Sequence, residues 1–284
     1  MNLQEVVSVE NMRQSDAKTI AERTTSAELM YRAAQGIFDS VKFTGKIAVV
    51  CGKGNNGGDG YALACILCKN GITPTIIRVS DDFSKNGLYY YQTAKSLGAA
   101  EESLESVGNF SGYDIVVDCL LGTGFSGEVT GRIKDAIEQI NISNAYIISA
   151  DINSGINGDT GVADIAVSSD LTVSIGAYKT GLFLNDAPYF IDSMVNADIG
   201  IELISEEYKL MDYSLLHMFE GYNSIVMTTE EFFEKYGYNP QTCNIAQCIR
   251  EISNENRKTV VVKTEHSAVI ADLKYIYFCA DYAK

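Results

Sequence analysis

Asp151 and Lys179 are a carboxylate and an amine, each placed just beyond an apolar run that reads as a β-strand, and such a pair can move a proton or balance a charge. Asp118 closes another such run, Ser154 follows Asp151 within the same loop, and Asn55, Asn56 and Asp59 follow a third. Both histidines, His217 and His266, lie beyond residue 205. Proton transfer near these motifs therefore falls to carboxylate, amine, phenol or thiol groups. The run 52–60 carries five glycines and spells G-x-G-x-x-G through Gly52, Gly54 and Gly57. It reads as a loop that holds phosphate on backbone N–H groups, with a helix beginning near Asp59 aiming its positive end there. A P-loop is excluded because no Gly-Lys-Ser/Thr follows.

These residues need strands and helices to bring them together. Strands are expected at 46–51, 74–79, 114–118, 146–150 and 171–175, mostly continuous apolar runs that suit burial on both faces. Helical patterns fall at 9–23, 26–40, 61–70, 86–97 and 131–140, and a last strand-like element at 197–201. The alternation predicts an α/β fold: a Rossmann-like, doubly wound, mostly parallel sheet in an αβα sandwich. Ligands in such sheets bind beyond the carboxyl ends of the strands, which is where four consecutive strands deliver Asn55, Asn56 and Asp59, then Asp118, then Asp151 with Ser154, then Lys179. A second glycine-rich loop, Gly122, Thr123, Gly124, Phe125, Ser126, Gly127 and Glu128, opens toward the same edge.

Composition bounds the function. The 284 residues carry a net charge of -15, which argues against nucleic acid and requires any anionic ligand to be met locally. No apolar run approaches membrane-spanning length and no signal-peptide pattern opens the sequence, so a cytoplasmic protein without membrane contact is expected. Seven scattered cysteines read as thiols, and the Cys65/Cys68 spacing as two small core residues of a helix.

The segments GNNGGDGYALA, VVDCLLGTGFSGEVTG, SADINSGINGDTG, SDLTVSIGAYKTGLF and ADIGI follow in order the motifs of the YjeF N-terminal domain, so residues 5–204 resemble the NAD(P)HX epimerases of nicotinamide-nucleotide repair. The resemblance implies an isomerase acting on NADHX and NADPHX at C6 of the hydrated nicotinamide ring. It implies a potassium ion held by Asn56, Asp118 and Ser154, hard oxygen donors suited to such a cation. Asn55 to Asp59, with Gly57 and Gly58 between them, and Gly122 to Glu128 would contact the dinucleotide, and Asp151 the substrate. Two departures stand out: Asn153 and Thr180 occupy positions where the family usually has proline. Asp151 is the expected proton-transfer group, with Lys179 either its partner or a phosphate ligand.

Residues 1–205 then form the epimerase domain, and 206–284 a small α+β extension with helices near 229–236 and 244–254 and strands at 258–263, 267–270 and 275–278. The extension faintly resembles part of the ribokinase-like dehydratase domain of bifunctional relatives, without its nucleotide-binding stretch. It reads as a non-catalytic remnant, or alternatively as a packing or dimer-forming extension, dispensable for chemistry. Its apolar runs need cover from the first domain or a second subunit, and a homodimer is expected. Two other functions compete: a NAD(P)-dependent dehydrogenase using Asp81 or Asp82 as its ribose acid, and a non-catalytic binding or scaffold module of YjeF-like fold.

Overall fold

A computed structural model describes residues 4–205, 207–239 and 244–283. Along the chain run β1 (Glu5–Val7), α1 (Val9–Glu22), α2 (Ser26–Ser40), β2 (Ile47–Cys51), α3 (Asn55–Lys69), β3 (Thr75–Arg78), α4 (Lys85–Ser96), β4 (Ala100–Ser103) and α5 (Leu104–Val107). There follow β5 (Ile115–Cys119), α6 (Gly131–Asn141), β6 (Tyr146–Ala150), β7 (Leu171–Ile175), β8 (Tyr178–Lys179) and β9 (Met194–Ala197). The C-terminal part adds β10 (Tyr208–Leu210), β11 (Ser224–Thr228), α7 (Thr229–Tyr236), α8 (Ile245–Asn256), β12 (Thr259–Lys263), β13 (Ser267–Ala271) and β14 (Ile276–Ala280).

The first sheet is seven-stranded and parallel throughout, in the order β4-β3-β2-β5-β6-β7-β9. Alternation along each strand assigns its faces. Ile47, Val49 and Cys51 pack in one core with α2 and α3, while Ala48 and Val50 join α6 in another. The order reverses between β2 and β5, so the switch point of this doubly wound sheet lies at their carboxyl ends. The final strand is Met194–Ala197 rather than the expected 197–201.

From Asn55 onward the glycine run is helix rather than loop. Helix α3 begins at Asn55, not near Asp59, and residues 55–60 form its first turns. Glycine and asparagine are weak helix formers, but tertiary packing overrides them. A Cβ at Gly57 would collide with the Gly52 carbonyl, one at Gly58 with Met30 of α2, and one at Gly60 with Cys51 and Cys119. Small residues thus let α3 lie directly on the sheet, and its buried residues extend from Asn56 to Leu67. Cys65 is buried there and donates to the Tyr90 carbonyl at 3.3 Å; Cys243 lies outside the described residues.

The second sheet was not foreseen as a whole. Its order is β11-β12-β13-β14-β10-β1-β8, so two short strands from the N-terminal 205 residues continue the sheet of the extension. The apolar runs of the extension are covered from within the chain. Val260, Val262 and Phe278 share a core with Ile152, Ile156 and Phe183, and Val261 and Cys279 face Met211 and Leu216 on the other side. Among the described residues no helix is long and apolar enough to cross a membrane.

Candidate active site

At the switch point the backbones of β2 and β5 approach so closely that Gly52 admits no side chain: a Cβ there would meet the Leu120 carbonyl. Gly52 N donates to the Cys119 carbonyl at 3.0 Å, which fixes the exit of β2 against that of β5. The chain then turns at exposed Gly54, the N-cap of α3, where no side chain caps the helix. The loop after β5 ends in the same way: a turn closes Phe125 N on the Gly122 carbonyl at 3.0 Å, and α6 starts after Thr130 without a side-chain cap. Two helix N-termini with open N–H groups therefore flank the crevice, an arrangement that favours an anion.

Below them lies a buried polar network. Asp118, fully buried, accepts from Leu120 N at 3.1 Å, Ser149 Oγ at 3.0 Å, Ser154 N at 2.9 Å and Ser154 Oγ at 2.5 Å. Burial raises its pKa, and these four donors oppose the rise. Leu121 N donates to Ser154 Oγ at 2.9 Å, and Asn56 Nδ2 donates to the Leu121 carbonyl at 2.7 Å. Asn56, Asp118 and Ser154, up to 98 residues apart in sequence, thus belong to one network. A carbonyl only accepts, so the amide nitrogen of Asn56 must face Leu121. Its Oδ1 is left buried with no hydrogen-bond partner among the described residues. Such an orphaned acceptor is uncommon.

On the other flank, Lys179 Nζ is ion-paired with Asp151 and donates to the Ile175 carbonyl at 2.7 Å. Lys179 is only 1% exposed, while Asp151 keeps 17% of its side chain open to the crevice. Asp151 sits at φ 68°, a left-handed conformation that aspartate tolerates better than most residues and that recurs where geometry serves a site. Two more carboxylates feel this pair. Burial, then repulsion by Asp151 and Asp16, pushes the Asp59 carboxyl well above its ordinary value. Burial pushes Asp16 up to about 6, with Lys179 opposing and Asp151 adding to the rise. Beside the Asp151–Lys179 pair, Asp59 and Asp16 are therefore both pushed toward their protonated forms.

The sequence named Asp59, Asp151 and Lys179 but not Asp16, which arrives from α1. Its helix does carry a signal: Asn11, Ser15 and Thr19 form a buried polar stripe at four-residue spacing, unusual for a packed helix face. Ser149, a buried hydroxyl near the carboxyl end of strand β6, was also passed over. Of the loop residues, Gly122 and Thr123 are half-buried and Gly124 is exposed. Phe125 packs on the α6 core, while Ser126, Gly127 and Glu128 face solvent away from both clusters' hydrogen bonds. The Asn153 and Thr180 departures are tied down. Fully buried Asn153 has Nδ2 within 2.8–2.9 Å of the Val167 and Phe190 carbonyls and Ser169 Oγ, and accepts from Thr172 Oγ1 at 2.6 Å. Hydrogen bonds there do the work of a proline ring. Thr180 Oγ1 donates to the Asp159 carbonyl at 3.1 Å.

Residues 26–181 match the family model described as YjeF-related protein N-terminus. An NAD(P)H-hydrate epimerase of Weissella koreensis is 32% identical over 209 residues, covering 69% of this chain and 92% of its own length. A bifunctional NAD(P)H-hydrate repair enzyme of Coxiella burnetii is 32% identical over 200 residues, and the chain spans 40% of that relative's length. The solved structure of the yeast protein ynu0 superposes with a TM-score of 0.53 at 21% identity, covering 62% of this chain and 82% of the yeast one, a likeness of fold.

Proposed function

This chain belongs to the YjeF-related protein N-terminus family, and from that premise we propose that it epimerises NADHX and NADPHX at C6 of the hydrated nicotinamide ring. The observation that carries the reading is the Asp151–Lys179 pair, with Asp59 and Asp16 around it, at the carboxyl ends of the sheet beside the open N-terminus of α3. Inversion requires the C6–O bond to break and reform on the opposite face. The bonding pair leaves with oxygen, which takes a proton from a carboxylic acid and departs as water. The N1 lone pair then forms the N1=C6 bond of an iminium ion. Water adds to the other face: an oxygen lone pair forms the new C6–O bond, the N1=C6 π pair returns to N1 as its lone pair, and a proton of that water passes to the carboxylate. Asp151 is the group we assign to that exchange, and its charge also offsets the iminium, a contribution of several kcal/mol in a low-dielectric site (~3–4). Asp16 and Asp59 keep a proton within the cluster, and Lys179 holds Asp151 in place.

The pyrophosphate fits the N–H groups of α3 and of α6, with the loop from Gly122 to Glu128 over it. Potassium fits the network below: Asn56 Oδ1 is an acceptor without a donor, and Asp118 supplies the neighbouring charge with Ser154 beside it. When bound, the cation would supply positive charge that helps hold a phosphorylated ligand on a protein of net charge -15. We expect a cytoplasmic enzyme acting on small molecules, with the homodimer as its assembly.

The test is to follow separated R and S epimers by chiral chromatography, with and without potassium. Purified protein is expected to equilibrate either epimer, faster with potassium. Tight binding of the hydrated nucleotides with no interconversion would make the chain a binding module instead.

Asp16→Asn tests the shared proton. It removes a charge that repels the Asp59 carboxylate, so Asp59 gives up its proton at lower pH, and the alkaline loss of activity should begin earlier. A pH–rate profile superimposable on that of wild type would remove Asp16 from the cluster. Stability runs the other way. A carboxyl raised from 3.8 to about 6 favours the fold fully below 3.8 and loses that benefit as pH rises through about 6. Asp16→Asn is therefore expected to melt no lower than wild type at pH 7, as measured by circular dichroism.

A further inference from the structure

The N-terminal helix is laced along one line to the segment that leads into the extension and to the extension's Glu207. Glu202 N donates to Thr19 Oγ1 at 3.2 Å, Ile204 N to Ser15 Oγ at 3.0 Å, and Asn11 Nδ2 to the Ser205 carbonyl at 2.9 Å. Ser8 N, at the helix N-cap, donates to Glu207 Oε2 at 2.6 Å, and Ser8 Oγ to Glu207 Oε1 at 3.1 Å. Residues 202–205 and Glu207 thus lie as a strap along α1 from its last turn to its first, and they use its buried polar stripe. Asp16 is the next residue after Ser15, so the strap that fixes the rotation of α1 also fixes the direction of Asp16. Met12, one turn earlier, fills the space over Gly176, with its Cε 2.9 Å from where a Cβ would stand. That contact sets α1 against the end of β7, whose Ile175 carbonyl receives Lys179.

Beyond the strap, β10 pairs antiparallel with β1, Glu5 opposite Lys209 and Val6 opposite Tyr208, with an ion pair between Lys209 and Glu5. The other edge of β1 pairs with β8, Val7 opposite Lys179. A strand of three residues with one neighbour is marginal, and β10 gives β1 its second. The turn after Lys179, Thr180–Phe183, is gripped as well: Ser267 Oγ donates to the Phe183 carbonyl at 2.7 Å and Tyr282 OH to the Leu182 carbonyl at 2.8 Å. The rings of Phe183 and Phe278 lie 5.6 Å apart, centroid to centroid.

We propose that the extension is a positioning element of the active site: through Glu207 and β10 it holds β1, and through β1 it sets Lys179 against Asp151 and Asp16 beside them. This reverses the expectation that the extension is dispensable for chemistry, and its activity readout rests on the epimerase reading. The groups that touch substrate all precede residue 205, and the extension acts on them from behind.

The test keeps the full chain. Glu5→Lys and Lys209→Glu each place like charges across β1 and β10, and the double variant restores opposite charges. Each single variant is expected to lower kcat ~10- to 100-fold, the scale of a reacting group displaced by about 1 Å, with KM changed less than kcat. The double variant should recover most of the loss, which assigns it to the pairing of these two strands. Glu207→Gln, a milder change at the cap of α1, should lower kcat in the same direction. Hydrogen exchange at the amides of Tyr178 and Lys179, read by mass spectrometry, is expected to quicken in both single variants and to slow again in the double. Single variants with faster exchange but kcat within about threefold of wild type would overturn the proposal and leave the extension a packing element. Should wild type itself fail to interconvert the epimers, the epimerase reading falls, and the exchange arm still decides the positional claim: unchanged exchange at Lys179 defeats it, quickened exchange sustains it.

Discussion

Replacing Asp151 with Asn is expected to lower epimerase turnover ~10²–10⁴-fold, the usual contribution of a general acid–base group, while leaving the fold intact. The backbone at residue 151 has φ 68°, and asparagine tolerates that conformation as well as aspartate does, so the loop keeps its shape. What changes is charge. Lys179, 1% exposed, loses its ion-pair partner but keeps the Ile175 carbonyl, and Asp16 and Asp59 remain in its field. Stability should therefore fall by less than the ~3–5 kcal/mol that follows when a fully buried pair is broken. Adding Lys179→Met removes the unmatched ammonium and should restore the melting temperature without restoring turnover. Activity of the single variant within threefold of wild type would move the chemistry to another group, Lys179 first.

Asp118→Ala should be the most destabilising single change in the site. The carboxylate receives Leu120 N, Ser154 N and two hydroxyls in a place without solvent. Its removal leaves two buried N–H groups with no acceptor, each at ~1–3 kcal/mol, and frees Ser154 Oγ from the network that also orders Leu121 and Asn56. A loss of ~3 kcal/mol, or a fall of roughly 6–12 °C in Tm, is expected at ~2–4 °C per kcal/mol for a domain near this size. The variant should also lose any rate response to potassium. Thermal melts beside assays at zero and saturating potassium test both halves, and a melting temperature within 2 °C of wild type (about 1 kcal/mol or less) contradicts the structural role given to Asp118.

The parallel sheet was readable because its strands are continuous apolar runs bounded by turn residues, and Asp118, Asp151 and Lys179 were readable because each follows one. Strands of two or three residues, β1 and β8, leave no such run, and β4, spelled Ala-Glu-Glu-Ser, has the polarity of an edge. The early start of α3 was hidden by residues with poor helix propensity whose helical state depends on close packing against Met30 and Cys119, neither of them local. Asp16 was hidden for the same reason: its environment is made by residues 151 and 179, more than a hundred positions away. The strands β12 and β13 were legible in the extension, but not that residues from the N-terminus complete their sheet.

That shared sheet bears on the order of events during synthesis. Strand β1 is made well before both of its neighbours, Tyr178–Lys179 and Tyr208–Leu210, which stand 172 and 204 positions further on in the pairs Val6–Tyr178 and Glu5–Lys209. The parallel sheet, with the Asp118 network inside it, needs only residues between 47 and 197 and can close while the chain is still growing. The lysine flank cannot. Until residue 210 has emerged, β1 has β8 on one edge and nothing on the other, and long-range pairings of this kind are slow to form. A nascent chain would thus order the Asp118 network before the Asp151–Lys179 pair, and any activity that depends on that pair would come late in folding.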